Sequence, residues 1–323
     1  MGSSKTPAPD NNHYRWNFTV NLLDGASYWF GYSFISTSTI FPLFVSKLTD
    51  SLWPIGLISL ISSAGWFLPQ LISARITEGY SKMKVIVVGW GLFLERLPIW
   101  MMVLSAFLAR TSPQLALISF LVCFTWFSLG AGIVAPSWMA LLAKIFSPEK
   151  RGSFLGTTMF VGAGMGVLSS AASAWLLENF TFPNSFVLLF GIAAVFMTLS
   201  WFFLSLNREP EAERVIENQD WRRYAASLVQ ILQNDQNYRR FVISNIVIAL
   251  GGMGAGFVTI SAIPVFKVSD ATVGLFTFTM LAGQTIGFFV LGKMADRFGH
   301  KLSLEIGILA MVIAFFLTIF MLS

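Results

Sequence analysis

The stretch Gly292-Lys-Met-Ala-Asp-Arg-Phe-Gly-His-Lys301 is a knot of charge in an apolar chain. Lys293, Asp296, Arg297, His300 and Lys301 can all carry charge, yet the flanks TFTMLAGQTIGFFVL (277–291) and LSLEIGILAMVIAFFLTIFMLS (302–323) are almost purely apolar. A membrane-crossing helix needs about 20 mostly apolar residues. The knot therefore reads as a short polar turn between two crossings. The whole chain agrees. Its 323 residues are 55% hydrophobic and 11% charged, against about 25% charged in soluble domains. Too little charge is present to cover a soluble surface, so the bilayer is the expected solvent and partner.

Working outward, nine apolar runs have spanning length: 22–46, 53–74, 84–108, 113–143, 153–177, 184–206, 241–266, 271–292 and 302–322. The fourth is long for one crossing, and its end, WMALLAKIF, is expected to extend beyond the hydrocarbon. Of the 21 lysines and arginines, Lys47, Arg110 and Lys267 fall in one set of connections and Arg96 inside the third run. The rest sit in the N-terminal tail and in connections 2–3, 4–5, 6–7 and 8–9. By the positive-inside rule the tail and those connections are cytoplasmic. The expected organisation is a tail (1–21), a six-helix bundle (22–206), a linker (207–240) and a partial second bundle (241–323). The expected site is a bacterial-type plasma membrane. In the linker, Trp221, Tyr224, Leu228, Ile231 and Leu232 recur at helical spacing, predicting a helix over about 220–233 that is either amphipathic or simply solvated.

Several chemistries are excluded. Cys123 is the lone cysteine, so no intrachain disulfide forms, and two histidines with one cysteine make no metal cluster. No phosphate loop, G-x-S-x-G or H-E-x-x-H occurs. No enzyme activity, cofactor or metal is expected. The net charge of +5 is dispersed between apolar runs, which points to topology and not to a nucleic acid.

The chain also repeats itself. At a shift of 218 residues Gly56-Leu57 falls on Gly274-Leu275, Ala64-Gly65 on Ala282-Gly283, Ala74-Arg75 on Gly292-Lys293 and Glu78 on Asp296. Spans 7–9 thus repeat spans 1–3 in the same orientation, and such repeats mark secondary transporters.

On these residues a family resemblance rests. Gly292-x-x-x-Asp296-Arg297-x-Gly299-x-Lys301 resembles the signature loop of the major facilitator superfamily, and Ala74–Lys82 is a degenerate first copy that keeps Glu78. Pro148-x-x-Arg151-Gly152 resembles a further loop of that family, and the central linker opened by Arg208-Glu209-Pro210 also fits. The resemblance implies an all-α polytopic fold of two bundles, a small-molecule substrate bound between them near spans 1, 4 and 7, and alternating access. It implies that span 8 lies beside span 5. The charged knot then becomes a latch: Gly292 and Gly299 let backbones approach, and Asp296 meets the helix start near Arg151 and Gly152, with Arg297, Lys301 and the first-copy Glu78 in the same device. The antiporter motifs of spans 4 and 5 are absent, and spans 10–12 do not follow. That leaves a second reading, a truncated, transport-dead membrane protein that binds a partner. Oligomeric state is not indicated.

Further candidates for substrate or proton binding lie within the spans. Glu95 and Arg96 sit ~18 Å along their helix from Lys84, at mid-bilayer, where charge is costly and by default functional. Being adjacent and about 100° apart on a helix, they are expected not to pair with each other. Asp24 reads as a proton site or, preferentially, an N-terminal cap. Gln70, Asn245 and Gln284 offer hydrogen bonds to substrate or, more simply, between helices. Tyr28, Trp29 and Tyr32 line a cavity or the membrane interface. Glu305 reads as a cap or charge partner. Gly162, Gly166, Gly252 and Gly256 form small-xxx-small pairs for helix packing. The favoured function is secondary transport, with proton-coupled efflux of a hydrophobic compound as its finer form.

Overall fold

Among the described residues the nine apolar runs are helical apart from a break at 34–39 in the first, and no strand occurs. The computed structural model describes residues 13–210, 221–252 and 254–322. In chain order the helices are α1 (Tyr14–Ser33), α2 (Ile40–Ser46), α3 (Trp53–Glu78), α4 (Met83–Val85), α5 (Leu97–Leu108), α6 (Pro113–Ile145), α7 (Pro148–Asn179), α8 (Asn184–Ser205), α9 (Trp221–Asn234), α10 (Gln236–Gly252), α11 (Gly254–Phe266), α12 (Thr272–Phe298) and α13 (His300–Leu322). Two π-helical segments, Ile86–Trp90 and Leu92–Arg96, join α4 to α5. Seven helices among the described residues are long and apolar enough to cross a membrane: Trp53–Arg75, Met83–Leu108, Pro113–Ile145, Lys150–Asn179, Asn184–Ser205, Gln236–Phe266 and Lys301–Thr318.

Two elements depart from the simple runs. The first run breaks at 34–39, where Ser36, Thr37, Ser38 and Thr39 stand together. Their hydroxyls compete with the helical hydrogen-bond ladder, and the chain turns, with Phe41 N donating to Ser36 O at 3.0 Å. α1 also begins at Tyr14, ahead of the apolar run at 22, because Tyr14 and Phe18 find ring partners. Tyr14 meets Phe146 at 6.0 Å and Phe18 meets Phe154 at 5.7 Å between centroids. The linker helix forms at Trp221–Asn234; residues 211–220 of the linker lie outside the described residues, as do 1–12 of the tail. The long fourth run is one helix of 33 residues, about 50 Å at 1.5 Å per residue.

Packing runs as a ring. α3 lies on α6, α6 on α5, α5 on α8, α8 on α1 and α1 on α7. Towards the Lys47 face the ring closes over an aromatic core, where Phe41 lies 4.9 Å from Phe120 and 5.0 Å from Phe124, and Phe44 lies 5.2 Å from Phe190. Such edge-to-face contacts each add about 0.5–1.5 kcal/mol beyond area burial. α3, α6 and the third span touch backbone to backbone. A Cβ added to Gly130 would stand 2.1 Å from Leu94 O, and one on Gly132 2.3 Å from Gly65 O. The second half attaches where α12 packs along α7, span 8 beside span 5. There Gly274 abuts Ala174 and Gly166 abuts Leu281. Of the expected small-residue contacts, Gly162 receives the Trp29 ring and Gly256 abuts Pro42, while among the described residues nothing lies within 4 Å of a Cβ at Gly252.

Candidate functional site

Inside the ring, α1, the second π-helical segment and α8 bring three ionisable groups together. Asp24, Glu95 and Arg96 are all buried. Ser200 Oγ on α8 donates to Asp24 Oδ1 at 2.6 Å. Arg96 Nε donates to Met197 O at 3.3 Å, and Arg96 Nη2 reaches Ser200 Oγ at 3.4 Å. Arg96 Nη1 is ion-paired with Glu95. The expectation that Glu95 and Arg96 do not pair is thus overturned. They lie in a π-helical turn, whose i→i+5 bonding spreads more residues around each turn than an α-helix does. Less rotation then separates neighbouring side chains. In a dry interior the guanidinium also takes the nearest carboxylate, since an unpaired buried charge is costly. The preference for Asp24 as an N-terminal cap is corrected as well. α1 begins at Tyr14, so Asp24 lies within the helix, where its N–H already belongs to the helical ladder.

The cluster holds two carboxylates and one guanidinium, so it is electrically neutral when it carries one proton. One turn on from Asp24 along α1 the side chains are aromatic. Tyr28 stacks on Tyr32, centroids 5.8 Å apart and rings 9° from parallel. Both tyrosines are half-buried. Ser200, the residue that ties Asp24 to Arg96, carries no sequence signal, since nothing distinguishes it from other serines of an apolar run.

The two halves meet at the Lys47 face. Lys47 Nζ is 2.7 Å from Asp270 Oδ2 and 3.0 Å from Oδ1. Thr39 and Thr277 hydroxyls are 2.7 Å apart and buried. Thr259 Oγ1 donates to Ser38 O at 2.9 Å. Towards the other face, the one that carries the tail, α7 and α12 behave differently. Among the described residues, nothing lies within 4 Å of a Cβ built at Gly152, Gly156, Gly283 or Gly287.

At the tail face the linker start is clamped. Glu209 accepts from Met83 N at 2.9 Å, from Lys84 N at 2.8 Å and from Lys144 Nζ at 3.0 Å. Asn17 and Arg208 exchange hydrogen bonds through Asn17 Nδ2 to Arg208 O and Arg208 N to Asn17 Oδ1, both 2.9 Å. Buried Asn21 donates to Asn207. Arg151 Nη2 donates to Ala143 O at 3.1 Å and Phe146 O at 3.3 Å. It thereby caps the carbonyl end of α6, the favourable place for a cation. Arg75 lies over the Tyr224 ring at 5.7 Å.

The remaining candidates are dispersed. Gln70 Nε2 donates within its own helix to Trp66 O at 2.8 Å, and Gln284 is exposed. The side chains of Glu78, Asn245, Gly292 and Asp296 lie outside the described ones. Gly299 adopts φ +91° at the turn before α13, a backbone that glycine takes without steric cost. Arg297 is exposed. Lys301 pairs with Glu305 at 3.7 Å, which makes Glu305 a charge partner.

Comparison with known proteins gives a consistent picture. The sequence profile of the Major Facilitator Superfamily matches residues 85–323. A potential vesicular glutamate transporter, vglu-3, of Caenorhabditis elegans is 30% identical over 93 residues, 28% of this chain and 16% of that protein. Among solved structures, a bacterial homologue of the human lysosomal transporter Spinster, in an inward-facing and unoccupied conformation, superposes with a TM-score of 0.51. The match has 13% identity and covers 90% of this chain and 64% of that one. A D-xylose–proton symporter gives a TM-score of 0.44 at 18% identity, covering 88% of this chain and 70% of that one. The chain thus spans less than two thirds of the length of the first two.

Proposed function

The chain belongs to the major facilitator superfamily, and from that premise we propose that it is a secondary transporter moving a small solute by alternating access. The observation that carries this is the asymmetry of contact between the halves. Lys47–Asp270, Thr39–Thr277 and Thr259–Ser38 join them at one face. Among the described residues, glycine contacts between α7 and α12 are made at Gly274 and Gly166 and not at Gly152, Gly156, Gly283 or Gly287, nearer the tail face. A closed rim opposite an open one is what a rocking pair of bundles needs. The lysine and arginine distribution supports a cytoplasmic tail face, so in this reading the rim that opens is the inward one. The latch reading of the charged knot gains from the α7–α12 register. Gly274 abuts Ala174 and Leu281 abuts Gly166, and the same antiparallel register carried down the helices sets Asp296 level with Arg151 and Gly152. In the outward-open state that level would be closed.

The coupling ion in this reading is a proton, held by the Asp24–Ser200–Arg96–Glu95 cluster. One proton makes the cluster neutral, and its α1 member, Asp24, lies one turn from the aromatic wall of Tyr28 and Tyr32. That wall favours a substrate with an apolar or ring face, in keeping with efflux of a hydrophobic compound. The test is transport in proteoliposomes under an imposed pH gradient, across a panel of labelled compounds. Asp24→Asn should cut gradient-driven accumulation at least tenfold while counterflow without a gradient persists. Full gradient-driven accumulation by the variant would sink the proton assignment and leave the transporter reading standing.

A further inference from the structure

A cavity of about 480 Å³ opens at the tail face, where the third span leaves the membrane. Its rim carries Lys82, Lys84 and Arg208, and its floor carries Val85 and Val88. The acid in its wall, Glu209, does not offset these cations outward. Its side chain is 2% exposed and is already met by Lys144 and by two backbone N–H groups. Lys84 Nζ is tied to Asn207 O at 2.9 Å, and the Arg208 guanidinium lies 4.9 Å over the Trp16 ring, with Nη1 3.3 Å from His13 Nδ1. Lys82 projects into solvent. Among the described residues, three positive charges thus border a space whose one carboxylate is already paired. From the cavity the span runs on as exposed apolar surface, with Val85 59% and Phe93 62% exposed.

We infer that this cavity binds the headgroup of an anionic phospholipid, with the acyl chains lying along the Val85–Phe93 side of the span. A free phosphate shares the headgroup's charge, but only a lipid uses the apolar path that leads out of the cavity. Basic pockets between spans on the positive side of the membrane suit this chemistry, and each lysine or arginine near such a surface is worth about fivefold in affinity.

The experiment is native mass spectrometry of the full chain in detergent, titrated separately with phosphatidylglycerol, phosphatidylcholine and inorganic phosphate. Phosphatidylglycerol adducts should persist at collision energies that strip phosphatidylcholine. Lys82→Gln combined with Arg208→Gln should weaken their retention about thirtyfold, while Arg110→Gln, on the opposite face, should not. A melting curve of each variant checks that it is folded; if the double variant does not fold, Lys82→Gln alone should show about a fivefold loss. Equal retention of phosphatidylcholine, or an unaffected double variant, would overturn the site. Displacement of the lipid by millimolar inorganic phosphate would also overturn it, as the mark of a soluble-anion site.

Discussion

The buried hydroxyl pair at the closed rim lends itself to a quantitative test. Either hydroxyl can donate across the 2.7 Å contact; where Thr277 Oγ1 gives its proton to Val273 O, 3.1 Å away, it is the acceptor for Thr39. Thr39 is 0% and Thr277 4% exposed, so no water can replace either partner while the rim is closed. Thr277→Val keeps the shape and removes the acceptor. Thr39 is then left with a buried unsatisfied hydroxyl in the closed state and a hydrated one in the open state. An unpaired buried donor costs about 1–3 kcal/mol, so the open-to-closed ratio of this rim should rise roughly 5- to 150-fold. Spin labels at Asp50→Cys and Ser269→Cys, in a Cys123→Ser background, would report it as growth of a longer-distance population by double electron–electron resonance. Thr277→Ser retains the acceptor and should match the parent. If Thr277→Val and Thr277→Ser both give the parent's distance distribution, the hydroxyl pair does not hold the rim and the reasoning fails.

Three further outcomes are expected. Gly130→Ala forces a methyl to within 2.1 Å of Leu94 O, backbone that cannot step aside; a loss of about 1–3 kcal/mol or more should lower the melting temperature in detergent, and an unchanged value would mean the α6 contact is looser than described. Glu209→Ala strands two N–H groups and Lys144, so stability to denaturant should fall by about 2–3 kcal/mol, with Glu209→Gln between it and the parent; equal midpoints for all three would remove the clamp. Asp296→Asn should speed opening of the tail face and alter the transport rate, and the latch is refuted by unchanged rate together with unchanged labelling of a cysteine placed at Gly152.

Much of this architecture is legible in the sequence because a bilayer imposes length. Apolar runs of about 20 residues and the sidedness of lysine and arginine need no tertiary information, and the runs at 53–74, 184–206 and 271–292 fold as helices there. The glycines at 162, 166 and 256 also declare themselves, since small residues have few other uses in a crossing helix. What escapes is pairing between distant residues. Nothing near Asp24 points to Ser200, and nothing near Lys47 points to Asp270. Glu209 reads as an ordinary linker acid until its burial against the start of the third span is seen. The pairing of Glu95 with Arg96 is missed for a local reason: 100° of rotation per residue holds for an α-helix, and this stretch is not one.

That same π-helical stretch bears on how the protein should be lined up with its relatives. A π-turn accommodates one residue more than an α-turn. A relative that keeps an unbroken α-helix between positions 86 and 96 would therefore need fewer residues to join the same two ends. An alignment without gaps through this span would set Glu95 and Arg96 against positions on another side of the helix, and a shared charge would look like a missing one. A gap placed at the π-turns, and not in the loops on either side, is what would bring the equivalent residues into column.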